Sequence, residues 1–191
     1  MRALRRQHVE AVAQRQDVHR FYFLDETGLR LDYTRRYARA PGGRRAAGAV
    51  PLRRGKSLTL IGALGVRGLK AVQVLDGALN RRSFAFYIGR VLGPQLRGGD
   101  VLVLDNLPVH KLGGLQQELA RRGVEVLFLP PFSPDFTPVE QAWSKLKTKL
   151  RQAQSRTRDA LEAAIQTAVD WVTGKDAKAW FNHCGYHVHR S

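Results

Sequence analysis

Cysteine is almost absent from this sequence, which has one among 191 residues. A single cysteine excludes a disulfide framework within one chain, as is typical of proteins from a reducing compartment. No run of about 18 apolar residues, the length that a membrane-spanning helix needs, is present. Residues 1–16 also lack the apolar stretch of a signal peptide. These absences predict a cytoplasmic protein that has no membrane segment.

Acidic residues are scarce as well. Sixteen Asp plus Glu stand against thirty-two Lys plus Arg, which gives a formal net charge of +16 and an isoelectric point near 11.0. Such an excess on a folded chain attracts polyanions, of which nucleic acid is the commonest. The alternatives are a highly charged surface with no specific partner and a protein that sits on a nucleic-acid-rich machine.

The length of the chain suits one domain with a sizeable core and a short extension. Residues 1–19 are polar and basic, with weak helical spacing, and predict a lead-in helix or tail. Residues 20–191 contain no internal repeat and no linker, so we expect them to form one folded domain.

The apolar patterns alternate between the period of a strand and that of a helix. The first four strands should form antiparallel hairpins, the first of them turning at Asp25-Glu26-Thr27-Gly28. The last two strands are separated by a crossover helix and should be parallel neighbours. We therefore predict an α/β fold, a mixed sheet with helices on both faces. The predicted strands are 21–24, 29–33, 57–64, 71–75, 101–104 and 124–129, and the predicted helices are about 83–93, 112–121, 138–151 and 158–172.

Three acidic residues stand where such a sheet places its ligands. Asp25 and Asp105 each follow an apolar strand, and Glu140 follows a Pro-rich turn at the start of a helix. Open sheets with crossover helices bind ligands at the carboxyl ends of their strands. Taken singly, each acid has an ordinary explanation, because Asp often starts a turn and Glu140 can complete a capping box with Thr137. Taken together, they can converge on one point.

Converging carboxylates need a cation. Two of them about 4 Å apart repel by about 4 kcal/mol at an effective dielectric constant near 20. Such a cluster must protonate or bind a positive ion. Without a set of Cys or His ligands, its oxygen donors favour Mg²⁺ or Mn²⁺. The pattern predicts a divalent metal site at Asp25, Asp105 and Glu140.

Glu26, Asn106 and His110 are expected to border this site. His110 would either contact phosphate or orient a ligand, or it is an ordinary hydrogen-bonded loop histidine. Basic residues close to the acids in sequence are expected to contact DNA phosphates. They are Arg35, Arg36, Arg44, Arg45, Arg53, Arg54, Lys56, Lys145, Lys147 and Lys149.

The segments FLDETG, VLVLDNLPVHK and LPPFSPDFTPVEQAWSKLK resemble the three acidic motifs of DDE transposases. The 34 residues from 106 to 139, between the second and third acids, match the spacing of the bacterial insertion-sequence group allied with mariner elements. The resemblance implies a ribonuclease-H-like fold with Asp25, Asp105 and Glu140 as catalytic, metal-binding acids. It also implies cleavage at transposon ends and strand transfer into target DNA, with two Mg²⁺ or Mn²⁺ ions and a homodimer in the DNA complex.

The sequence departs from that family in two ways. Thr137 stands where Asn is more usual, and only about twenty residues precede the first motif, too few for the helix-turn-helix region that reads transposon ends. We therefore expect this chain to bind DNA by charge more than by sequence. Two alternatives stay open: a catalytically idle DNA-binding remnant that regulates a full-length transposase, and a ribonuclease-H-like host nuclease that cuts RNA–DNA hybrids.

Overall fold

The computed structural model describes residues 2–13, 17–35, 37, 39–49, 51, 57–131 and 133–188. Its longer elements alternate along the chain much as the apolar patterns predict. They are α1 (Arg2–Ala13), β1 (Phe21–Leu29), β2 (Leu58–Gly65), β3 (Gly68–Asp76), α2 (Arg81–Phe86), a π-helical segment (Tyr87–Leu92), β4 (Val101–Leu104), α3 (Leu115–Arg121), β5 (Glu125–Phe128), α4 (Val139–Ala153), α5 (Arg158–Val169) and α6 (Gly174–His183).

A five-stranded sheet in the order β3-β2-β1-β4-β5 forms the centre of the molecule. Both β1 with β2 and β2 with β3 are antiparallel pairs. The pairs of β1 with β4 and of β4 with β5 are parallel. This confirms the predicted mixed sheet, in which hairpins come first and parallel strands follow.

Helices cover both faces of the sheet. Because successive strand residues point to opposite faces, Phe21 and Phe23 enter one buried cluster while Leu24 enters the other. The first cluster contains residues of α4, α5 and α6, and the second contains residues of α2, the π-helical segment and α3. The two cores confirm the predicted three-layer arrangement.

The predicted turn at residues 25–28 and the returning strand at 29–33 are wrong. Strand β1 continues through Asp25 to Leu29, and β2 pairs with it from Phe23 opposite Leu64 to Leu29 opposite Leu58. The Asp-Glu-Thr-Gly composition favours a turn locally, but a long ladder of hydrogen bonds with a buried neighbour overrides that preference. The chain turns only at residues 31–32.

The predicted capping box of α4 is also wrong. The helix begins at Val139 with Pro138 at the N-cap and no side-chain cap. Thr137 therefore stands one residue outside the cap position, and its hydroxyl donates instead to the Ser133 carbonyl at 3.4 Å. The Glu140 carboxylate is consequently not engaged in capping its own helix.

The two ends of the chain pack against the domain. The C-terminal segment forms α6, which begins with a capping box of Thr173 and Asp176. His8 of α1 is buried, and its Nε2 lies 2.9 Å from the Tyr186 hydroxyl, which donates to the Phe136 carbonyl at 2.9 Å. The division of the chain at residue 19 stays a prediction. Of the helices that the structure describes, none combines the length and apolar character needed to cross a bilayer.

Tyr186→Phe tests how strongly the C-terminal segment holds the domain together. Tyr186 is 1% exposed, and removing its hydroxyl deletes the hydrogen bonds with His8 and with the Phe136 carbonyl while the aromatic ring is kept. We expect the free energy of unfolding, measured in urea, to fall by about 1–3 kcal/mol. Tyr37→Phe is the matched control, because Tyr37 is 90% exposed and should change stability by less than about 0.5 kcal/mol. Equal effects of the two substitutions would contradict the bridging role of Tyr186.

Candidate active site

The three predicted acids line one open cleft with a volume of about 630 Å³. Asp25 projects from β1, Asp105 follows directly after β4, and Glu140 stands in the first turn of α4. The structure therefore brings together three residues that are far apart in sequence. None of them faces another side of the molecule.

Strand register explains why Asp25 and Asp105 meet. The parallel pairing of β1 with β4 places Phe23 opposite Val103. Two residues further along each strand, Asp25 comes level with Asp105, which lies just past the end of β4 at Leu104. Asp25 was predicted to follow the end of its own strand, but it lies within β1. The cleft opens beside it because the neighbouring strand, β4, ends at Leu104.

Helix α4 fixes the side chain of Asp25. The indole Nε1 of Trp143 donates to Asp25 Oδ2 at 3.0 Å. Gly62 stands opposite Asp25 in the ladder with β2, and a Cβ there would lie 3.1 Å from Trp143 Cη2. The glycine thus leaves the room that the indole ring needs to reach the acid. The sequence patterns did not single out Trp143 as part of the site, although it stands one helical turn after Glu140 on α4.

The carboxyl group of Asp25 is poorly compensated. Burial is the main cause that raises its pKa, the negative charges of Glu26 and Asp105 add to it, and the result is a pKa of about 7. The hydrogen bond from Trp143 lowers the pKa, but by less. A half-buried carboxyl group in this state binds either a proton or a cation, which is the electrostatic property expected of a metal ligand.

Asp105 has the opposite environment. Burial raises its pKa, but hydrogen bonds from His110 and from the Leu107 backbone, with the charge of Lys111, bring the pKa below its ordinary value. Its Oδ1 lies 2.5 Å from His110 Nδ1 and accepts the Leu107 N–H at 3.0 Å. Asp105 is therefore ionised and held in one orientation.

The two ring nitrogens of His110 face two different carboxylates, those of Asp105 and Glu26. Its ring is buried against Phe84, with ring centroids 4.7 Å apart, and its Nε2 lies 3.3 Å from Glu26 Oε2, outside hydrogen-bond geometry. Burial lowers the pKa of His110, but Asp105 and Glu26 together raise it to about 9. Of the two interpretations, the contacts favour a histidine that orients Asp105. Glu26 lies on the opposite face of β1 from Asp25, where its carboxylate approaches this ring, and its charge also raises the pKa of Asp25.

Two further residues border the cleft. The Asn106 side-chain amide donates to the Leu129 carbonyl, which ties the residue after Asp105 to the end of β5. Lys111 lines the cleft and its charge acts on Asp105, although the sequence patterns did not single it out. Asn106 thus restrains the segment that carries Asp105, and the charge of Lys111 lowers the pKa of Asp105.

Glu140 is exposed at the rim of the cleft. In the part of the chain that the structure describes, no three His, Cys, Asp or Glu side chains lie close enough together to hold a metal ion as they stand. Assembling Asp25, Asp105 and Glu140 around one ion therefore requires a side chain to move. The donor set itself fits, because three carboxylates supply the hard oxygen ligands that Mg²⁺ and Mn²⁺ prefer.

The lysines of α4 divide between two faces of the helix. Lys147 lies on the cleft side, seven residues after Glu140, and its charge interacts with Asp25. Burial and then the charge of Arg151 lower the pKa of Lys147, whereas Asp25 raises it. Among the three lysines predicted to bind DNA on this helix, Lys147 is therefore the one beside the candidate site.

Lys145 and Lys149 point to the other side of α4. The Lys145 ammonium pairs with Asp176 at 2.7 Å and lies 4.9 Å from the centre of the Trp171 ring. The Lys149 ammonium lies 3.8 Å from the same ring centre. Both cations therefore help to pack α4 against the C-terminal helices, a use that the count of basic residues did not reveal.

The structure describes only some of the basic residues between β1 and β2 that were predicted to contact DNA. Arg35, Arg44 and Arg45 are exposed in the segment between β1 and β2. The other four basic residues predicted to contact DNA in this segment lie outside the described residues: Arg36, Arg53, Arg54 and Lys56.

Comparison with known proteins gives a family match in sequence. A family model described as "DDE superfamily endonuclease" matches residues 20–162, about three quarters of the chain. The match includes all three acids of the cleft. No curated protein was found to match the chain in sequence.

Crystal structures of the Mos1 mariner transposase resemble the fold. A paired-end complex with Mg has a TM-score of 0.68 at 16% identity, covering 96% of this chain and 58% of that one. The isolated catalytic domain has a TM-score of 0.62 at 13% identity, covering 96% of this chain and 84% of that one. A strand transfer complex has a TM-score of 0.64 at 16% identity, with coverages of 99% and 61%. This chain thus spans about three fifths of the transposase chains in those complexes, and the predicted ribonuclease-H-like fold is confirmed.

The raised pKa of Asp25 predicts a pH-dependent stability of the metal-free protein. The folded chain keeps this proton up to about pH 7, whereas the unfolded chain releases it near 3.8. Between these values the folded state binds more protons, so the free energy of unfolding should fall as the pH rises from about 4 to about 7. Asp25→Asn should remove this part of the pH dependence in urea unfolding.

Asp170→Asn serves as the control for that measurement, because Asp170 is an exposed carboxylate at the end of α5. The control should keep the wild-type pH profile. His110 also contributes to the free energy of unfolding, but its contribution is lost at higher pH, between about 6.5 and about 9. The two pH dependences are therefore separated. Parallel profiles of the wild type and Asp25→Asn below pH 7 would show that Asp25 does not hold the extra proton.

Proposed function

Because the chain belongs to the DDE superfamily endonucleases, we propose that it is a transposase catalytic domain that cuts DNA at transposon ends and joins the cut strands to target DNA. One observation carries the proposal. Three acids from separate elements line a single cleft, and burial with two like charges leaves the most enclosed of them, Asp25, with its pKa raised to about 7. Such an arrangement suits a divalent cation and a phosphate.

Asp25, Asp105 and Glu140 would hold Mg²⁺ or Mn²⁺, with two ions present when DNA is bound. When bound, such ions stabilise the negative charge that develops at a phosphate undergoing displacement. Structures of the Mos1 transposase with Mg and with Mn support this choice. The oxygen-only donor set of the cleft supports it independently.

Positioning in this chain comes from the groups around the acids. Both contacts of Asp105, from His110 and from the Leu107 backbone, engage Oδ1, which leaves Oδ2 to face a ligand. Trp143 in turn holds Oδ2 of Asp25. Two acids that are fixed in this way need little reorganisation when a phosphate binds. Such preorganisation is a main source of rate acceleration in displacement reactions.

DNA is the proposed substrate and partner. The net charge of +16 and the Mos1 complexes with transposon ends support it. Lys147 and Lys111 stand beside the acids and would contact the phosphates that flank the cut, and the arginines of the β1–β2 segment would contact DNA further away. Residues 20–191 would be the catalytic domain, residues 1–19 a basic lead-in, and the DNA complex would contain a homodimer.

One observation favours a second candidate. Because Glu140 is exposed, and because no three ligating side chains of the described residues are grouped as placed, the chain could instead be a catalytically idle DNA-binding protein that regulates a full-length transposase. The two candidates differ in one property only, metal-dependent cutting.

Nicking of a supercoiled plasmid in Mg²⁺, with chelator as the blank, separates the candidates. The wild type should nick, and Asp105→Asn should reduce the rate by more than about 100-fold, beyond the 10–100-fold that outer partners of a metal ligand cost. The substitution keeps the shape of the side chain and removes its charge. Asp135→Asn is the matched control, because Asp135 is an exposed acid in the turn before α4 and should keep the wild-type rate.

The possible results are distinct. Nicking by Asp105→Asn at the wild-type rate would overturn the assignment of the acids. A wild-type chain that binds DNA but does not nick it in Mg²⁺ or Mn²⁺ would identify the regulator. Cutting confined to RNA–DNA hybrids would identify a ribonuclease-H-like nuclease instead.

A further inference from the structure

A second groove, of about 510 Å³, lies at the other end of the parallel strands. Asp100, which precedes β4, contributes to this groove, whereas Asp105, which follows β4, lines the cleft. The four residues of β4 lie between them, and the five strand rises from position 100 to position 105 span about 16 Å. The side chains that matter in the groove are Arg20, Tyr22, Arg67, Lys70, Arg97 and Asp100.

The acidic groups of this groove are already engaged. Asp100 is 3% exposed. Its Oδ1 lies 3.2 Å from Arg20 Nη1, and its Oδ2 accepts the backbone N–H of Arg97 at 2.7 Å. Asp17 lies 3.8 Å from Arg20 Nε. Arg20 is therefore the cation that pairs with both acids. Within the described residues, neither acid forms an ion pair with the other three cations of the groove.

Lys70 is a cation held by uncharged groups. Its ammonium lies 4.4 Å from the centre of the Tyr22 ring and donates to the Tyr22 hydroxyl at 3.3 Å and to the Gln95 carbonyl at 3.4 Å. Such partners fix the position of an ammonium group but leave its net charge intact. The Tyr22 ring is itself fixed by close packing, because a Cβ at Gly65 would lie only 2.8 Å from its Cε1.

Arg67 and Arg97 complete the positive surface. Arg67 is exposed in the turn between β2 and β3, and Arg97 is exposed in the loop before β4. Neither guanidinium forms an ion pair with any residue that the structure describes. Three positive charges thus surround one groove, and the central one has a fixed position.

We infer that this groove is a second DNA-binding site, in which Arg67, Lys70 and Arg97 bind the phosphodiester backbone of a DNA segment other than the one at the acidic cleft. A duplex carries one negative charge per about 1.7 Å of its axis, so a single segment can engage all three cations at once. Inorganic phosphate has the same chemistry but only one group to offer. The groove contains no cluster of acids and requires no metal ion for this binding.

Replacing the three cations together tests the inference. The triple variant Arg67→Gln, Lys70→Gln, Arg97→Gln removes their charge and keeps the side chains long and polar. The control triple Arg82→Gln, Arg90→Gln, Lys178→Gln removes the same charge from exposed positions that do not line the groove. Binding of a labelled duplex is measured by fluorescence anisotropy, in chelator, over a range of salt concentrations.

Each phosphate contact contributes about 0.9 to the slope of log affinity against log salt. The groove variant should therefore lose up to about 2.7 of slope and bind the duplex more weakly, whereas the control variant should keep nearly the wild-type slope. Equal losses in the two variants, or an unchanged groove variant, would overturn the inference. Because these measurements use chelator, they stand whether or not the chain cuts DNA.

A measurement on the wild type guards against misfolding of the variants. Acetylation of lysines is followed by mass spectrometry, with no addition, with duplex or with inorganic phosphate. The duplex should protect Lys70 several-fold more than Lys178, which is exposed on α6, and phosphate should protect neither. Lys70 that is modified equally in all three conditions, or that is protected equally by phosphate and by duplex, would overturn the inference.

Discussion

The register between β1 and β4 is the constraint on which the candidate site depends. Phe23 lies opposite Val103 because both are buried in the same core, and this pairing brings Asp25 level with Asp105. A slip of one residue would turn the side chains of a strand to the opposite face, placing Asp25 on the side of His110 and Phe84. The apolar packing of the sheet therefore determines whether the acids can meet at all.

Within that frame, the two aspartates have unlike surroundings. Asp105 has His110, Lys111 and a backbone N–H, which together lower its pKa. Asp25 has only neutral donors, the Glu26 backbone and the Trp143 indole, beside two acidic neighbours, and its pKa is about 7. Environments that separate the pKa values of paired acids are typical of functional sites. Here the difference means that Asp25, and not Asp105, lacks a nearby positive charge to stabilise its ionised form. A divalent ion shared by the two acids would supply that charge.

The sequence was sufficient to predict that the three acids come together but not which residues hold them in place. An apolar run ending in Asp is a local pattern, so the parallel strands and the position of Asp105 just past β4 were predicted correctly. The continuation of β1 beyond Asp25 was not, because a local turn composition was overridden by pairing with β2. The hydrogen bond from Trp143 to Asp25 spans 118 residues, and the contact of His110 with Glu26 crosses the sheet edge. Such contacts depend on packing between distant segments, which composition and spacing do not describe.

The net charge likewise does not show which cations are available to bind DNA. A net charge of +16 predicts a polyanionic partner but does not distinguish cations that are already neutralised from those that are not. Lys145 is paired with Asp176 and Arg20 with Asp100, so neither is well suited to hold DNA. Lys70 differs from them, because neutral groups hold its ammonium in place and no direct ion pair within the described chain cancels its charge. Lys147 likewise forms no direct ion pair with the described residues, and its charge acts on Asp25. A cation is therefore suited to bind DNA when uncharged groups hold it in position, and less suited when an ion pair with an acid already neutralises it.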